Sequence, residues 1–94
     1  MAIGPEPRYQ LEIAPSALKQ LSSLSRKIQE RIAAGIDALR FEPRPHGVKK
    51  LGGVDDLYRI RVGNYRVVYT IRDDRLTVIV LRIADRKDAY RGGP

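Results

Sequence analysis

The chain has 94 residues, a formal net charge of +7 and a pI near 10.1. That length suits one domain spanning residues 1–94 and excludes two of ordinary size. With no Cys and a single His, His46, a disulfide framework, a thiolate zinc site and a His-built metal centre are excluded, and neither a metal nor a cofactor is expected.

Hydrophobic residues make up 43% of the chain, too many for a disordered tail. The longest apolar run, Leu76–Leu81, is broken by Thr77 and falls far short of the roughly 20 residues of a membrane span. The opening residues MAIGPEPRY lack the charged start and apolar stretch of a signal peptide, so a cytoplasmic protein with no membrane partner is expected. The positive charge calls for a polyanionic partner.

Arg8–Ile13 reads as a strand, with Tyr9, Leu11 and Ile13 alternating against Arg8, Gln10 and Glu12. Pro15 suits the first position of a helix, and Leu18, Leu21 and Leu24 are its predicted buried stripe. Ser25 is placed to cap a second helix, whose apolar face is Ile28, Ile32, Ile36 and Leu39. The two helices should form an antiparallel hairpin, ended by Pro43 and Pro45, with Phe41 packed beneath the helix end. Residues 47–56 read as a loop. Leu57–Val62 and Tyr65–Ile71 flank Gly63–Asn64, a two-residue hairpin turn, and Leu76–Ile83 is the most apolar strand. Asp85–Arg91 reads as a charged tail or a last edge strand. The predicted fold is α+β, strand–helix–helix–three strands, with helices on one face of the sheet and the other face bare.

Alternation sends Arg59 and Arg61 to one face of their strand and Tyr58, Ile60 and Val62 to the other. Arg66, Arg82 and Arg86 follow on the later strands, then Lys87, Tyr90 and Arg91. Guanidinium groups offer paired donors that match phosphate oxygens, and a tyrosine beside them stacks on a base. A merely solvated basic face remains the plain alternative.

These residues carry a resemblance. The segment LYRIRVGNYRVVY over residues 57–69 resembles the central hairpin of the RelE/ParE toxins, and LRIADRKDAYR over residues 81–91 is similar to their C-terminal segment. Residues 43–53 and Ala17–Leu21 resemble the preceding loop and first helix. The resemblance implies a β-α-α-β-β-β fold and a toxin of a type II toxin–antitoxin system. RelE-like members cut mRNA in the ribosomal A site by attack of the 2′-hydroxyl on the adjacent phosphate. The resemblance implies a catalytic set of Arg59, Arg61, Arg66, Arg86 and Tyr90. Lys49, Lys50, Arg82, Lys87 and Arg91 would hold flanking phosphates or ribosomal RNA. Arg66 and Arg61 are expected to stabilise phosphoryl charge, Arg86 to serve the leaving oxygen, and Tyr90 to orient the base.

An arginine is a poor general base, and some relatives carry lysines where this chain has Arg59 and Arg61. The base is therefore assigned to Asp85 or to Tyr90, with pairing to Arg86 or Lys87 as the structural alternative for Asp85. His46 reads as an exposed loop residue, Tyr58, Tyr65 and Tyr69 as packing residues, and Asp73–Asp74 as turn acids. The expected partner is a small acidic antitoxin whose amphipathic segment folds on binding. A ParE-type toxin that inhibits DNA gyrase without cutting RNA is the competing function, and a plain RNA-binding module is a third.

Overall fold

A computed structural model describes residues 6–51 and 56–85. Its elements are β1 (Gln10–Ile13), α1 (Pro15–Ser22), α2 (Arg26–Ala38), β2 (Lys49–Leu51), β3 (Leu57–Val62), β4 (Tyr65–Arg72) and β5 (Thr77–Asp85). Both helix starts follow their local chemistry. Pro15 opens α1, and the Ser25 hydroxyl accepts the Ile28 N–H at 3.4 Å to cap α2. Ile32, Ile36 and Leu39 are buried and Ile28 is half-buried, as their spacing predicts.

The first helix corrects the expected stripe. Ala17 is fully buried, while Leu18 is 53% exposed. Positions 17, 21 and 24 keep to one side of a 3.6-residue turn, whereas a strict three-residue spacing drifts around the helix. Ala17, Leu21 and Leu24 therefore form the packed side, and the small Ala17 lets α1 lie against β5. Phe41 is likewise not tucked under α2. It is 42% exposed, whereas Leu39 at the end of the helix is buried.

The strands form one sheet in the order β1-β5-β4-β3-β2. β1 runs parallel to β5, and the other neighbours are antiparallel. The segment expected to be loop from 47 to 56 contains β2, in which Lys49 pairs with Arg59 and Leu51 with Leu57. Three residues, two of them lysines, carry no strand signature of their own, and pairing with β3 is what makes them a strand. Gly63, at φ +61°, makes the tight turn that sets Val62 opposite Tyr65.

Both helices lie on one face of the sheet. Tyr69, Val67, Val78 and Val80 are fully buried beneath Ile32, Ile36 and Leu39. Tyr58 stacks on Tyr69 with ring centres 5.9 Å apart, and the Tyr69 hydroxyl donates to the Pro43 carbonyl at 2.7 Å. That bond satisfies a buried hydroxyl, and burial pushes its pKa upward. Gly35 sets how closely α2 approaches the sheet, since a Cβ there would stand 2.9 Å from a Val62 methyl carbon. No described helix is long and apolar enough to cross a membrane.

Candidate nucleic-acid interface

Residues opposite each other in a ladder share a face. Tyr58, Val67 and Tyr69 face the helices, so the register fixes which side chains face away from them. Lys49 stands opposite Arg59, Arg59 opposite Val68, and Val68 opposite Arg82. The next row toward the Gly63 turn places Arg61 opposite Arg66, and Arg66 opposite Ala84. Lys49, Arg59, Arg61, Arg66 and Arg82 thus occupy two adjacent rows on the face opposite the helices.

A bulge makes this possible. Val68 pairs with Arg82, but the next residue, Tyr69, pairs with Val80, so Leu81 has no counterpart on β4. Val78 and Val80 face the core. Strict alternation would turn Arg82 inward with them and expel Ile83. The extra residue resets the phase, so Ile83 is buried beside the core and Arg82 joins the basic face. Re-aiming a side chain in this way is a common use of a bulge.

The basic face carries a cost. Like charges directly opposed across a ladder destabilise the pair, and Arg61 faces Arg66 in that arrangement. The stems of Arg59 and Arg66 are embedded deeply enough to bury their Nε atoms, which restricts where their terminal nitrogens point. Arg61 is exposed. A row of fixed cations with restricted orientation is suited to a phosphodiester, whose charge it meets without reorganising.

The other predicted site residues divide. Lys50 lies opposite Tyr58 and therefore on the helix side, where its ammonium sits 6.0 Å from the Tyr58 ring centre and 3.4 Å from an Asp56 oxygen. Asp85 lies opposite Tyr65, also on the helix side, and lines a cavity of about 300 Å³ with Gln20, Ser23 and Leu24 of the α1 region. Arg86, Lys87, Tyr90 and Arg91 lie outside the described residues.

At the far end of the sheet acids and cations are paired, Asp56 with Lys50, Asp73 with Arg44 and Asp74 with Arg72. Asp56, Asp73 and Asp74 line a cavity of about 510 Å³ with Leu57, Thr70 and Leu81. Asp73 is more than the turn acid its sequence context suggests. It accepts the Tyr9 hydroxyl at 2.8 Å and both terminal nitrogens of Arg44, at 3.3 and 2.9 Å. Arg44 also donates from Nε to the Tyr58 hydroxyl at 3.2 Å, with its guanidinium 5.2 Å from that ring centre. Arg44 and then Tyr9 hold the Asp73 carboxyl below its ordinary pKa. This clamp and the Tyr69–Pro43 bond pin the segment from Pro43 onward to the sheet. Sequence reading missed the clamp, because its members are 64 and 29 residues from Asp73. Among the described residues, no three His, Cys, Asp or Glu side chains gather as a metal site.

A sheet backed by helices on one face, with Lys49, Arg59, Arg61, Arg66 and Arg82 in two adjacent rows of the other, defines a small α+β protein with a basic sheet face. Comparison with known proteins sharpens the class. Residues 11–90 match the family described as ParE toxin of type II toxin-antitoxin system, parDE. The chain is 31% identical over 87 residues to a protein named putative toxin RelE1 from Methanocaldococcus jannaschii, covering 89% of this chain and 97% of that one. It is 28% identical over 81 residues to the mRNA interferase toxin RelE of Escherichia coli K12, covering 84% of each. Among solved structures, the archaeal RelE-RelB complex from Pyrococcus horikoshii matches with a TM-score of 0.76 and 34% identity over 84% of this chain and 96% of that one. The chain belongs to the RelE/ParE superfamily of type II toxins.

Proposed function

We propose that the protein is an mRNA interferase: an endoribonuclease that cuts mRNA in the ribosomal A site by 2′-hydroxyl attack and so stops translation. The observation that carries this reading is the pairing of Arg61 with Arg66, flanked by Arg59, Lys49 and Arg82, on the face no described helix covers. Such a set suits a phosphodiester whose charge grows as it is attacked. A gyrase-binding toxin has no need of it, and the RelE names of the relatives support the same choice. The nucleophile belongs to the RNA, so the scheme needs no metal to activate water. Arg61 and Arg66 act on the phosphoryl oxygens, Arg59 fixes the scissile linkage, and Lys49 and Arg82 hold neighbouring phosphates. Arg86 and Tyr90 keep the leaving-side and base-stacking roles that the resemblance implies, and Lys87 and Arg91 those of RNA contacts.

The partner that silences the toxin is an acidic antitoxin. The +7 charge supports this, as does the kinship with a toxin solved in complex with RelB. Mapping mRNA 5′ ends after brief induction in bacteria tests the function. New ends within codons, abolished by Arg66→Ala, are expected. Removing one such charge contact should slow cleavage by about 10²–10³. Intact mRNA with a gyrase-dependent DNA-damage response would overturn the reading in favour of gyrase inhibition.

A further inference from the structure

β2 reaches β3 only as far as the Lys49–Arg59 pair. Beyond it, Ile60–Val62 has no described strand on that side, and the chain from Pro45 to Gly47 runs past this free edge instead. The result is a groove of about 540 Å³ whose lining includes His46 and Gly47 of this turn, Arg59 and Arg61 of β3, and Gly35 of α2. His46 is exposed, but its backbone is fixed. The Val48 N–H donates to the Pro45 carbonyl at 3.0 Å, and Gly47 makes the bend at φ +89°, a left-handed conformation that glycine adopts without strain. Just upstream, Pro43 is held by Tyr69 and Arg44 by Asp73 and Tyr58. The turn bearing His46 is therefore braced from the core.

Among the described residues, the two basic rows carry charge stabilisers but no carboxylate or imidazole of their own. Arginine stays protonated, and Asp85 falls on the helix side. Imidazole changes charge between pH 5 and 8 and suits proton transfer at neutral pH. We infer that His46 is the general base of the cleavage proposed above, seated with Arg59 and Arg61 around the scissile linkage. This assignment rests on the nuclease reading.

In this step the 2′-hydroxyl proton passes to the neutral imidazole and the 2′-oxygen bonds to phosphorus. The bond from phosphorus to the 5′-oxygen breaks, and that oxygen takes a proton from water. The imidazolium then returns its proton to solvent, leaving a 2′,3′-cyclic phosphate and a 5′-hydroxyl. Among the described residues, Arg59 and Arg61 are the charged groups that border the groove with His46. α2 contributes the uncharged Gly35 and β3 the apolar Ile60 and Val62.

The test is single-turnover cleavage of mRNA on programmed ribosomes from pH 5 to 8.5, using full-length wild type, His46→Gln and His46→Ala, with ribosome affinity and thermal melting measured alongside. Wild type should speed up through this range. Both variants should fall about 10²-fold or more and lose that rise while binding ribosomes and melting as wild type does. Added imidazole should restore part of the His46→Ala rate. Variants that keep the wild-type rate and pH profile overturn the inference and leave the nuclease standing. Variants with weakened binding but a normal rate at saturation also overturn it, making His46 a contact only. If wild type cuts no mRNA while arresting growth, the function and the inference fall together.

Discussion

Arg44 and Arg61 are the same residue type in one small domain, and they are used in opposite ways. Arg44 is closed in by partners: two bonds to the Asp73 carboxylate, one to the Tyr58 hydroxyl, and the face of the Tyr58 ring. Its charge is matched at the surface by Asp73, joining the loop after α2 to the β4–β5 turn. Arg61 is exposed and looks across the ladder at another arginine. Its charge is directed outward, and the fold bears a repulsion to keep it there. Arg44 is matched by an acid, whereas Arg61 is set opposite another cation in the ladder.

The largest expected effect comes from placing a charge on the wrong side of the sheet. Ile83→Arg puts a guanidinium at the buried position opposite Val67. Burying an unpaired charge costs several kcal/mol even after relaxation. The substitution should abolish cooperative unfolding in a urea titration followed by far-UV circular dichroism. Arg82→Ile, one residue earlier and facing away from the helices, should leave cooperativity intact.

Arg44→Ala should lower stability by about 1 kcal/mol, a value discounted for the solvent exposure of its ion pair. Chemical denaturation would read this directly. The acid partner gives the comparison a pH dependence. The Asp73 carboxyl titrates below its ordinary value of 3.8 in the folded chain. Its contribution is therefore present above that value and is lost as the pH falls through the lower folded one. Wild type should melt above Asp73→Asn at pH 7, with the gap closing as the pH falls below about 4. A gap that persists at pH 2 would show that the carboxylate charge is not what holds Arg44.

The smallest effect has the opposite sign. Arg61→Thr relieves a like-charge pair and places a β-branched residue in a strand, so stability should rise by about 0.2–1 kcal/mol. Ribosome-dependent cleavage should fall in the same variant. A loss of stability there would erase the distinction between the two arginines.

Much of this was legible in the chain. Alternation in Tyr58–Val62 put Arg59 and Arg61 on a face of their own, and Pro15 and Ser25 marked both helix starts. The spacing of Ile32, Ile36 and Leu39 named the buried side of α2. The failures have a common physical cause. β2 exists only because β3 lies beside it, Ala17 outranks Leu18 because α1 packs closely on β5, and Asp73 acquires its role from residues far away in sequence. His46 looked like an ordinary loop residue because its neighbours along the chain are Pro45 and Gly47, while the arginines that share its groove arrive from β3.

The sequence by itself determined an excess of permanent positive charge and the local periodicities that make helices and strands. Those properties belong to single residues and their near neighbours along the chain. Tertiary structure alone decided that Arg82 joins Arg59 and Arg66 while Asp85 and Lys50 turn away. Strand parity is a property of pairing, and one unmatched residue, Leu81, reverses it for everything that follows.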